Sequence, residues 1–204
     1  MAAANEGLEA TLWWQDRAVL RRYLECGDVL ANIPFITRTL AWRKANNVDK
    51  LLADREACEE EVAMRQRLLY DVVSTVDGRP VLIQRVGAWD VDALTEAIQT
   101  PGVEATIRRS HMLVTERMRC AVDAYSAAGG PCGNALLVFD FADMGLRHLS
   151  AHAMLNFLSN LFRDDRDHYP GIIGKIVVVN APRAFSALWA IVSRWLHPDT
   201  AAKL

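Results

Sequence analysis

The sequence predicts an α/β fold whose N-terminal part is entirely helical. Three short apolar runs, each typical of a buried strand, follow residue 80 and are separated by helix-length segments. Strands that are apolar throughout and alternate with helices indicate a parallel or mixed sheet covered by helices. Residues 8 to about 70 have instead the residue pattern of helices.

Length and charge limit the classes of function. A chain of 204 residues can form one domain with a helical extension, or two small domains. The hydrophobic fraction is 51% and the net charge is −2, so the chain lacks the basic excess of nucleic-acid-binding domains. Nucleic acid is therefore not an expected partner.

The N-terminus and the cysteines predict a cytoplasmic protein. Glu6, Glu9 and Asp16 interrupt the first segment, so a secretory signal is not expected. No stretch approaches the ~18 uninterrupted apolar residues of a membrane span. The four cysteines are widely spaced and form no CxxC pair, which favours free thiols in a reducing compartment.

The N-terminal helices have one irregular position. Ile33, Ile36 and Leu40 follow one another at helical spacing. Pro34 lies inside this pattern and would remove a backbone hydrogen bond. We therefore expect either a kink at Pro34 or a helix that begins near Asn32.

The pattern changes from helix to strand between residues 69 and 81. The charged segment 55–69 is most simply a helix with a solvated face. Asp77 and Gly78 form a strong turn signal, and Pro80 opens a short predicted strand over residues 81–86.

Two further units of helix and strand follow. Residues 104–127 carry an apolar stripe typical of a helix, and residues 135–141 ("ALLVFDF") form the second predicted strand. Ser150 is a candidate cap for a helix that runs to about Arg163. Residues 176–179 form the third apolar run.

The segment after the third strand is apolar on nearly every side of a helix and carries Trp189 and Trp195. Its dozen or so apolar residues are too few to cross a membrane, while tryptophan is suited to the boundary between water and lipid. A central helix enclosed by protein alone would have the same pattern.

No catalytic motif in the sequence is complete. "LLVFD" (residues 136–140) is similar to a Walker B strand, but the chain has no GxxxxGK[ST] loop. His148 and His152 could share a helix face as metal ligands, yet they lack an HExxH pattern and a third ligand. Asp164, Asp165 and Asp167 could hold a cation or form a solvated charge cluster. We therefore expect no enzyme activity and no metal.

Four ordered stretches carry a family resemblance: "LAWRKANNVDKLL", "DGRPVLIQRVGAWD", "VFDFADMGLRHLS" and "YPGIIGKIVVVNAPRAFSALW", with "HPDTAAKL" behind them. Together they resemble the CRAL-TRIO lipid-binding family of phosphatidylinositol/phosphatidylcholine transfer type, over residues 20–204. The resemblance implies a helical lobe (residues 1–72) packed on an α/β lobe (residues 73–204). The mostly parallel sheet of the second lobe would form the floor of a hydrophobic lipid cavity.

The resemblance also implies a mobile helical gate over residues 185–200. The gate and cavity residues would be Leu82, Val138, Val178, Phe185, Trp189, Val192 and Trp195. The expected ligand is a single lipid or other small hydrophobic molecule, with no cofactor. The expected role is transfer or presentation of that ligand by a protein that contacts membrane surfaces transiently; the alternative is a lipid-sensing module that regulates a partner.

The residues that would hold a lipid head group match the family unevenly. Thr200 and Lys203 have the spacing that holds the phosphate in phosphoinositide-binding members, a sensible pairing for a phosphate, although a lysine near a helix C-terminus is also common. The basic run that those members use is replaced by Glu25, Cys26 and Gly27.

The positions that contact choline also differ from those of the family. The positions that hold choline in some members are occupied here by Leu82, Gly145 and Arg147. A phosphatidylinositol-type lipid or a different apolar ligand both remain open.

The family fold normally continues with another strand after the segment that holds Lys203, whereas this sequence ends at Leu204. The expectation is an unpaired sheet edge, a fragment of a longer protein, a truncated gene model, or pairing with a partner chain.

Overall fold

The structure, a computed structural model, describes residues 22–23, 29–68, 70–75, 77–130, 133–183, 185–194 and 202. Seven α-helices lie in these ranges: α1 (Val29–Ala45), α2 (Arg55–Leu68), α3 (Val91–Gln99), α4 (Val103–Ala127), α5 (Leu146–Ser150), α6 (His152–His168) and α7 (Phe185–Val192). The four strands are β1 (Tyr70–Ser74), β2 (Pro80–Gln84), β3 (Ala135–Asp140) and β4 (Ile173–Val179). Two 3₁₀ helices cover Val48–Ala53 and Val86–Ala88.

The four described strands form one mixed sheet in the order β1-β2-β3-β4. β1 and β2 are antiparallel, while β2, β3 and β4 are parallel. Helices connect the parallel strands, as parallel pairing requires. The predicted α/β fold with a mostly parallel sheet is therefore confirmed.

The crossover helices cover one face of this sheet. In β3, Ala135, Leu137 and Phe139 are buried and alternate with half-buried residues, so the buried side chains share one face. Val122 of α4 packs in the cluster that contains Ala135, and Phe162 of α6 packs in the cluster that contains Phe139. Both helices therefore lie on the same side.

Of the two expectations for the first helix, a start near Asn32 is wrong, while a kink at Pro34 stays a prediction. α1 begins at Val29 and continues through Pro34 to Ala45. Pro34 is therefore the sixth residue of α1, where a proline removes one backbone hydrogen bond of the helix. Leu40 of the predicted stripe is buried, but Ile33 is half exposed.

The predicted cap at Ser150 is also wrong. Ser150 ends α5, and its hydroxyl donates to the Arg147 carbonyl oxygen at 3.2 Å. The next helix, α6, begins at His152 and continues past Arg163 to His168. A serine whose hydroxyl bonds back to its own helix is not available to cap the following one.

Three elements differ from the predicted strand and helix pattern. β1 pairs with β2 across the Asp77–Gly78 turn, where the Thr75 amide donates to the Arg79 carbonyl at 2.9 Å. α3 was not predicted; its cap is Asp90, whose carboxylate accepts from the Ala93 amide at 3.0 Å. β4 begins three residues before its apolar run, at Ile173.

A buried ionic network joins α1 to α4. Arg43 donates to Glu116 at 2.5 Å and to Asp49 at 2.8 Å. Glu116 also accepts from Arg119 at 3.0 Å. Arg43 and Glu116 are both buried, so their charges are paired where water cannot solvate them.

No helix in the described ranges has both the length and the apolar character needed to cross a membrane.

Candidate functional site

An apolar cavity of about 60 Å³ lies between the helix-covered face of the sheet, α6 and α7. Its lining comes from the sheet, the loops at the ends of its strands and these helices. The lining residues are Gln84, Val86, Trp89, Phe139, Phe141, Met144, His148, Met154, Leu155, Leu158, Phe162, Val178, Phe185 and Trp189. An almost wholly apolar lining suits an apolar ligand.

One residue of each parallel strand lies on the floor of the cavity. Gln84 of β2 lies opposite Phe139 of β3, and Phe139 lies opposite Val178 of β4. All three positions are at or near the carboxyl ends of their strands. Ligands of open α/β sheets commonly bind at this end.

The corner between β4 and α7 is held by a side-chain link. Asn180 has a positive φ of 53°, and its side-chain amide donates to the Asp140 carboxylate at 2.8 Å. Hydrogen bonds from Asn180 and from the Ala142 amide lower the pKa of Asp140. The Phe185 amide then donates to the Pro182 carbonyl at 2.9 Å, where α7 begins.

Aromatic contacts hold α7 over the cavity. The Phe185 ring lies 5.7 Å from the Phe141 ring and 6.1 Å from the Trp189 ring, measured between centroids. These distances are in the range of favourable aromatic pairs. Phe185 therefore connects the end of β3 to the outer part of α7.

A second cavity of about 60 Å³ lies behind the first, among α2, α3, α4 and α6. The two cavities share the side chains of Gln84, Trp89, Met154, Leu158 and Phe162. The Trp89 indole donates to the Leu68 carbonyl at 2.6 Å. These shared side chains therefore border both cavities.

The polar residue His148 is fully buried beside the first cavity. Its Nδ1 lies 3.1 Å from the Gly145 amide nitrogen and 3.3 Å from the Gly145 carbonyl oxygen, so it accepts from the first or donates to the second according to the tautomer. Burial, the largest cause, lowers the pKa of His148, and the charge of Arg147 acts in the same direction. Backbone hydrogen bonds from Gly145 and Gly87 raise this pKa, but the net shift is downward. The imidazole is therefore neutral near pH 7.

The histidine pair considered as metal ligands does not come together as one face. His148 is buried on α5, whereas His152 is exposed on α6. The aspartates near the end of α6 pair with cations: Asp164 with Arg108 at 2.8 Å, and Asp165 with His111 at 3.0 Å. Within the described part of the chain, no group of three or more His, Cys, Asp or Glu side chains is arranged to hold a metal ion.

Three of the predicted gate and cavity residues line the first cavity: Val178, Phe185 and Trp189. Leu82 lies two residues before Gln84 on β2 and packs beneath the cavity in the core around Leu137. Val138 is adjacent to Phe139 on β3, so its side chain is on the opposite face of the sheet.

The other predicted site residues lie at or beyond the end of α7. Val192 is its last residue. Trp195, Thr200 and Lys203 lie outside the described residues, as do Glu25, Cys26 and Gly27.

The side of the cavity that α6 forms was not predicted from the sequence. Met154, Leu158 and Phe162 all line the cavity and are spaced four residues apart. That spacing places them on one helix face, so the wall was readable from the sequence. His148 gave no such signal, because its burial depends on the loop around Gly145.

Comparison with known proteins places the chain in a family. The CRAL/TRIO domain model matches residues 72–204, and the chain belongs to this family. It is 27% identical to "Protein real-time" of Anopheles gambiae over 92% of this chain and 27% of the relative. It is 26% identical to the Sec14 cytosolic factor of Schizosaccharomyces pombe over 93% of this chain and 65% of the relative.

A plant relative and a solved structure extend the comparison. The chain is 29% identical to the phosphatidylinositol/phosphatidylcholine transfer protein SFH7 of Arabidopsis thaliana, over 81% of this chain and 30% of the relative. The crystal structure of Sfh5 matches with a TM-score of 0.65 at 12% identity, over 97% of this chain and 66% of that chain. This chain spans about a quarter of the length of the first of these curated relatives.

Proposed function

We propose that the protein binds a single lipid, or another small hydrophobic molecule, beneath α7 and transfers or presents it between membranes. The observation that carries the proposal is the apolar cavity at the carboxyl ends of the parallel strands, lined on one side by Phe185 and Trp189 of α7. Membership of the CRAL/TRIO family and the transfer function named for a relative support it.

The size of the cavity supports a gating role for α7. A cavity of about 60 Å³ is smaller than the roughly 150 Å³ that holds one benzene molecule, so an acyl chain cannot enter without displacing part of the lining. The lining includes a short helix, α7, that follows a loop corner. Burial of each acyl CH₂ group contributes about 0.8 kcal/mol, and this free energy opposes the cost of the displacement.

The proposed gate and cavity consist of the predicted residues together with the α6 wall. Phe185, Trp189, Val192 and Trp195 would form the gate, and Val178 and Leu82 would support the bound chain. Val138, on the other face of the sheet, would act through packing within the sheet.

The proposed head-group residues are Thr200 and Lys203. A hydroxyl and an ammonium suit a phosphate, and this pairing would favour a phosphatidylinositol-type lipid.

The proposed role is non-enzymatic, with the lipid as ligand and no separate cofactor. We propose a cytoplasmic protein that meets membrane surfaces transiently and has no nucleic-acid partner. The division into a helical lobe (residues 1–72) and a lipid-binding lobe (residues 73–204) stays a prediction; β1 (Tyr70–Ser74) crosses that boundary.

The second candidate function is a lipid-sensing module that regulates a partner. The observation that favours it is the length of the relatives, since matches such as "Protein real-time" extend far beyond the segment that this chain covers. In such a protein, lipid occupancy beneath α7 would change a contact with another domain or chain rather than move lipid.

A two-vesicle assay tests the transfer proposal. Donor vesicles carry labelled phosphatidylinositol or phosphatidylcholine, and label that appears in acceptor vesicles is measured with and without the protein. The proposal predicts protein-dependent transfer of at least one of these lipids. Stable lipid uptake without transfer would favour the sensing module, and no uptake of either lipid would contradict both.

The same assay tests the head-group residues. Thr200→Ala and Lys203→Ala should slow transfer of phosphatidylinositol more than transfer of phosphatidylcholine. Lys175→Ala removes an exposed lysine on β4 and serves as the control, with transfer expected at the original rate. Equal effects on the two lipids would overturn the head-group assignment.

A further inference from the structure

Two side chains of α6 border empty space on both sides. Met154 and Leu158 line the cavity beneath α7 and also line the second cavity behind it. Each of these cavities has a volume of about 60 Å³. Buried side chains are normally close-packed and have no room to move. A side chain that borders two cavities can instead change its position without displacing its neighbours.

Met154 and Leu158 are also held less firmly than the tryptophan that borders the same two cavities. The indole N–H of Trp89 donates to the Leu68 carbonyl at 2.6 Å. Leu158 has no polar atom, and the thioether of Met154 is only a weak acceptor. Methionine is unbranched and adapts its shape to irregular gaps in a core. Rotation of these two side chains therefore breaks no strong hydrogen bond.

The second cavity offers surroundings that suit an apolar side chain. Most of its lining residues are aliphatic or aromatic or contain a thioether. Two of the polar side chains in the lining are already engaged. The Tyr70 hydroxyl donates to Glu61 at 2.6 Å, and Nε2 of His111 lies 3.0 Å from the Asp165 carboxylate. An apolar group that turns into this space leaves both of these contacts in place.

We propose that the second cavity determines how wide a ligand fits beneath α7, because it receives the side chains of Met154 and Leu158 when a ligand enters the first cavity. The inference rests on the proposed function and deepens it by naming residues that determine ligand size. The first cavity alone is smaller than the roughly 150 Å³ that holds one benzene molecule.

The exchange of space has a physical advantage. Empty volume in a core costs stability because the atoms around it lack contacts. Ligand in the first cavity and side chains in the second would fill both volumes together. The sheet and the backbone of α6 would stay in place, since the movement is a change of side-chain rotamers.

Substitutions at Val114 test the inference because they take up part of the receiving space. Val114 is buried and lines the second cavity but not the first. Val114→Leu and Val114→Phe place increasingly large side chains there. The ligands are dipalmitoyl phosphatidylcholine, which has straight chains, and diphytanoyl phosphatidylcholine, whose methyl branches make its chains wider. Competition of each against a labelled phosphatidylcholine gives the ratio of their affinities.

The affinity for the branched lipid should fall relative to that for the straight lipid. In Val114→Leu the expected decrease is about fourfold for each methyl group that no longer fits, and in Val114→Phe it is larger. Val122→Leu makes the same change on the same helix at a fully buried residue that lines neither cavity. This control should keep the native ratio. A native ratio in a folded Val114→Phe protein, or equal changes in Val114→Leu and Val122→Leu, would overturn the inference.

Methionine methyl signals test the movement in the native protein, so this measurement does not depend on the folding of a variant. With ¹³C-methyl methionine, Met144 reports on the first cavity and Met64 on the second, while Met112 lies in a part of the core that borders neither. Addition of dipalmitoyl phosphatidylcholine should shift the signals of Met144 and Met64 and leave that of Met112 unchanged.

The same spectra separate failure of the inference from failure of the proposed function. A shift at Met144 without one at Met64 would overturn the inference alone. A direct nuclear Overhauser contact between acyl protons and the Met64 methyl group would also overturn it, because the ligand itself would then occupy the second cavity. An unchanged Met144 signal, with no uptake of either lipid, would instead overturn the proposed function on which the inference rests.

Discussion

At the residue scale, the buried charges between α1 and α4 bear on stability more than the surface ion pairs do. Burial by itself raises the pKa of Glu116, but the hydrogen bond and charge of Arg43, with the charge of Arg119, lower it overall. Glu116 is therefore ionised in the folded protein. An ionised carboxylate in a buried position depends on its cations remaining in place.

Replacement of Arg43 by methionine should destabilise the fold strongly. Glu116 would retain Arg119 at 3.0 Å but lose Arg43 at 2.5 Å. The expected loss is about 3–5 kcal/mol of unfolding free energy, measured by urea denaturation. Arg55→Met is the control, because Arg55 and its partner Glu59 are 93% and 67% exposed, and its effect should stay below about 1 kcal/mol. Equal losses in the two variants would refute the importance of burial.

A second prediction at this scale concerns His168 and pH. Burial lowers the pKa of His168 to about 4, with Arg38 and Arg43 acting in the same direction and Asp167 and Asp165 opposing. The unfolded chain takes up this proton near the ordinary value of 6.5, so between pH 6.5 and 4 the unfolded state binds more protons. Stability is therefore full above pH 6.5 and falls as the pH decreases, by up to about 3 kcal/mol from this group.

Unfolding measured from pH 7 to pH 4.5 checks this prediction. His168→Phe retains an aromatic ring where the imidazole stacks on Trp42, with centroids 4.2 Å apart, and should show a shallower decline than the native protein. His152→Phe changes an exposed histidine and should leave the slope as it is. A native slope retained in His168→Phe would assign the pH dependence to other groups.

At the scale of elements, α7 is the segment that connects structure to the proposed function. It is short, follows the Asn180 corner, and is held over the cavity by the Phe141, Phe185 and Trp189 rings. A helix that these aromatic contacts hold on the sheet can leave without breaking the sheet beneath it. The proposed gating requires this separation between local opening and global unfolding.

Trp189→Asp should slow vesicle-to-vesicle transfer more than it destabilises the protein. The charge would disfavour both the aromatic contact with Phe185 and the insertion of α7 at a membrane surface. Transfer rate and urea denaturation are measured together. Val62→Asp introduces the same charge at a half-exposed valine of α2 and should leave transfer unchanged. A native transfer rate in Trp189→Asp would remove Trp189 from the gate.

The segment that holds Gly87 packs closely against the loop that holds Ala142. A Cβ atom at Gly87 would lie 1.9 Å from the Ala142 carbonyl oxygen, whereas a Cβ at Gly145 would meet nothing within 4 Å. Gly87→Ala should therefore cost about 1–3 kcal/mol or more of stability, and Gly145→Ala should have little effect. Thermal denaturation of both variants compares them directly; a Gly87→Ala protein as stable as Gly145→Ala would contradict the packing described here.

At the scale of the whole molecule, the sequence predicted the sheet better than the helices that surround it. The three apolar runs form β2, β3 and β4. Strands of a parallel sheet are buried on both faces, so an uninterrupted apolar run predicts them. β1 was missed since its pairing depends on the Asp77–Gly78 turn and on β2. The start of α1 and the role of Ser150 were wrong because local propensity is overruled by neighbouring contacts.

The candidate site was only partly readable from the sequence. Val178, Phe185 and Trp189 line the cavity and were chosen through the family resemblance. An all-apolar strand does not show which face each residue takes, so Val138 could not be told from Phe139 by periodicity. His148 is buried beside the cavity, and no sequence pattern predicts that burial.

Native mass spectrometry of freshly purified protein tests the central claim most directly. The claim is that the molecule holds one lipid or other small hydrophobic molecule beneath α7, so the account predicts a 1:1 complex whose extra mass can be identified after release. Purified protein that carries no lipid, and that takes up none on incubation with phosphatidylcholine or phosphatidylinositol vesicles, would contradict it.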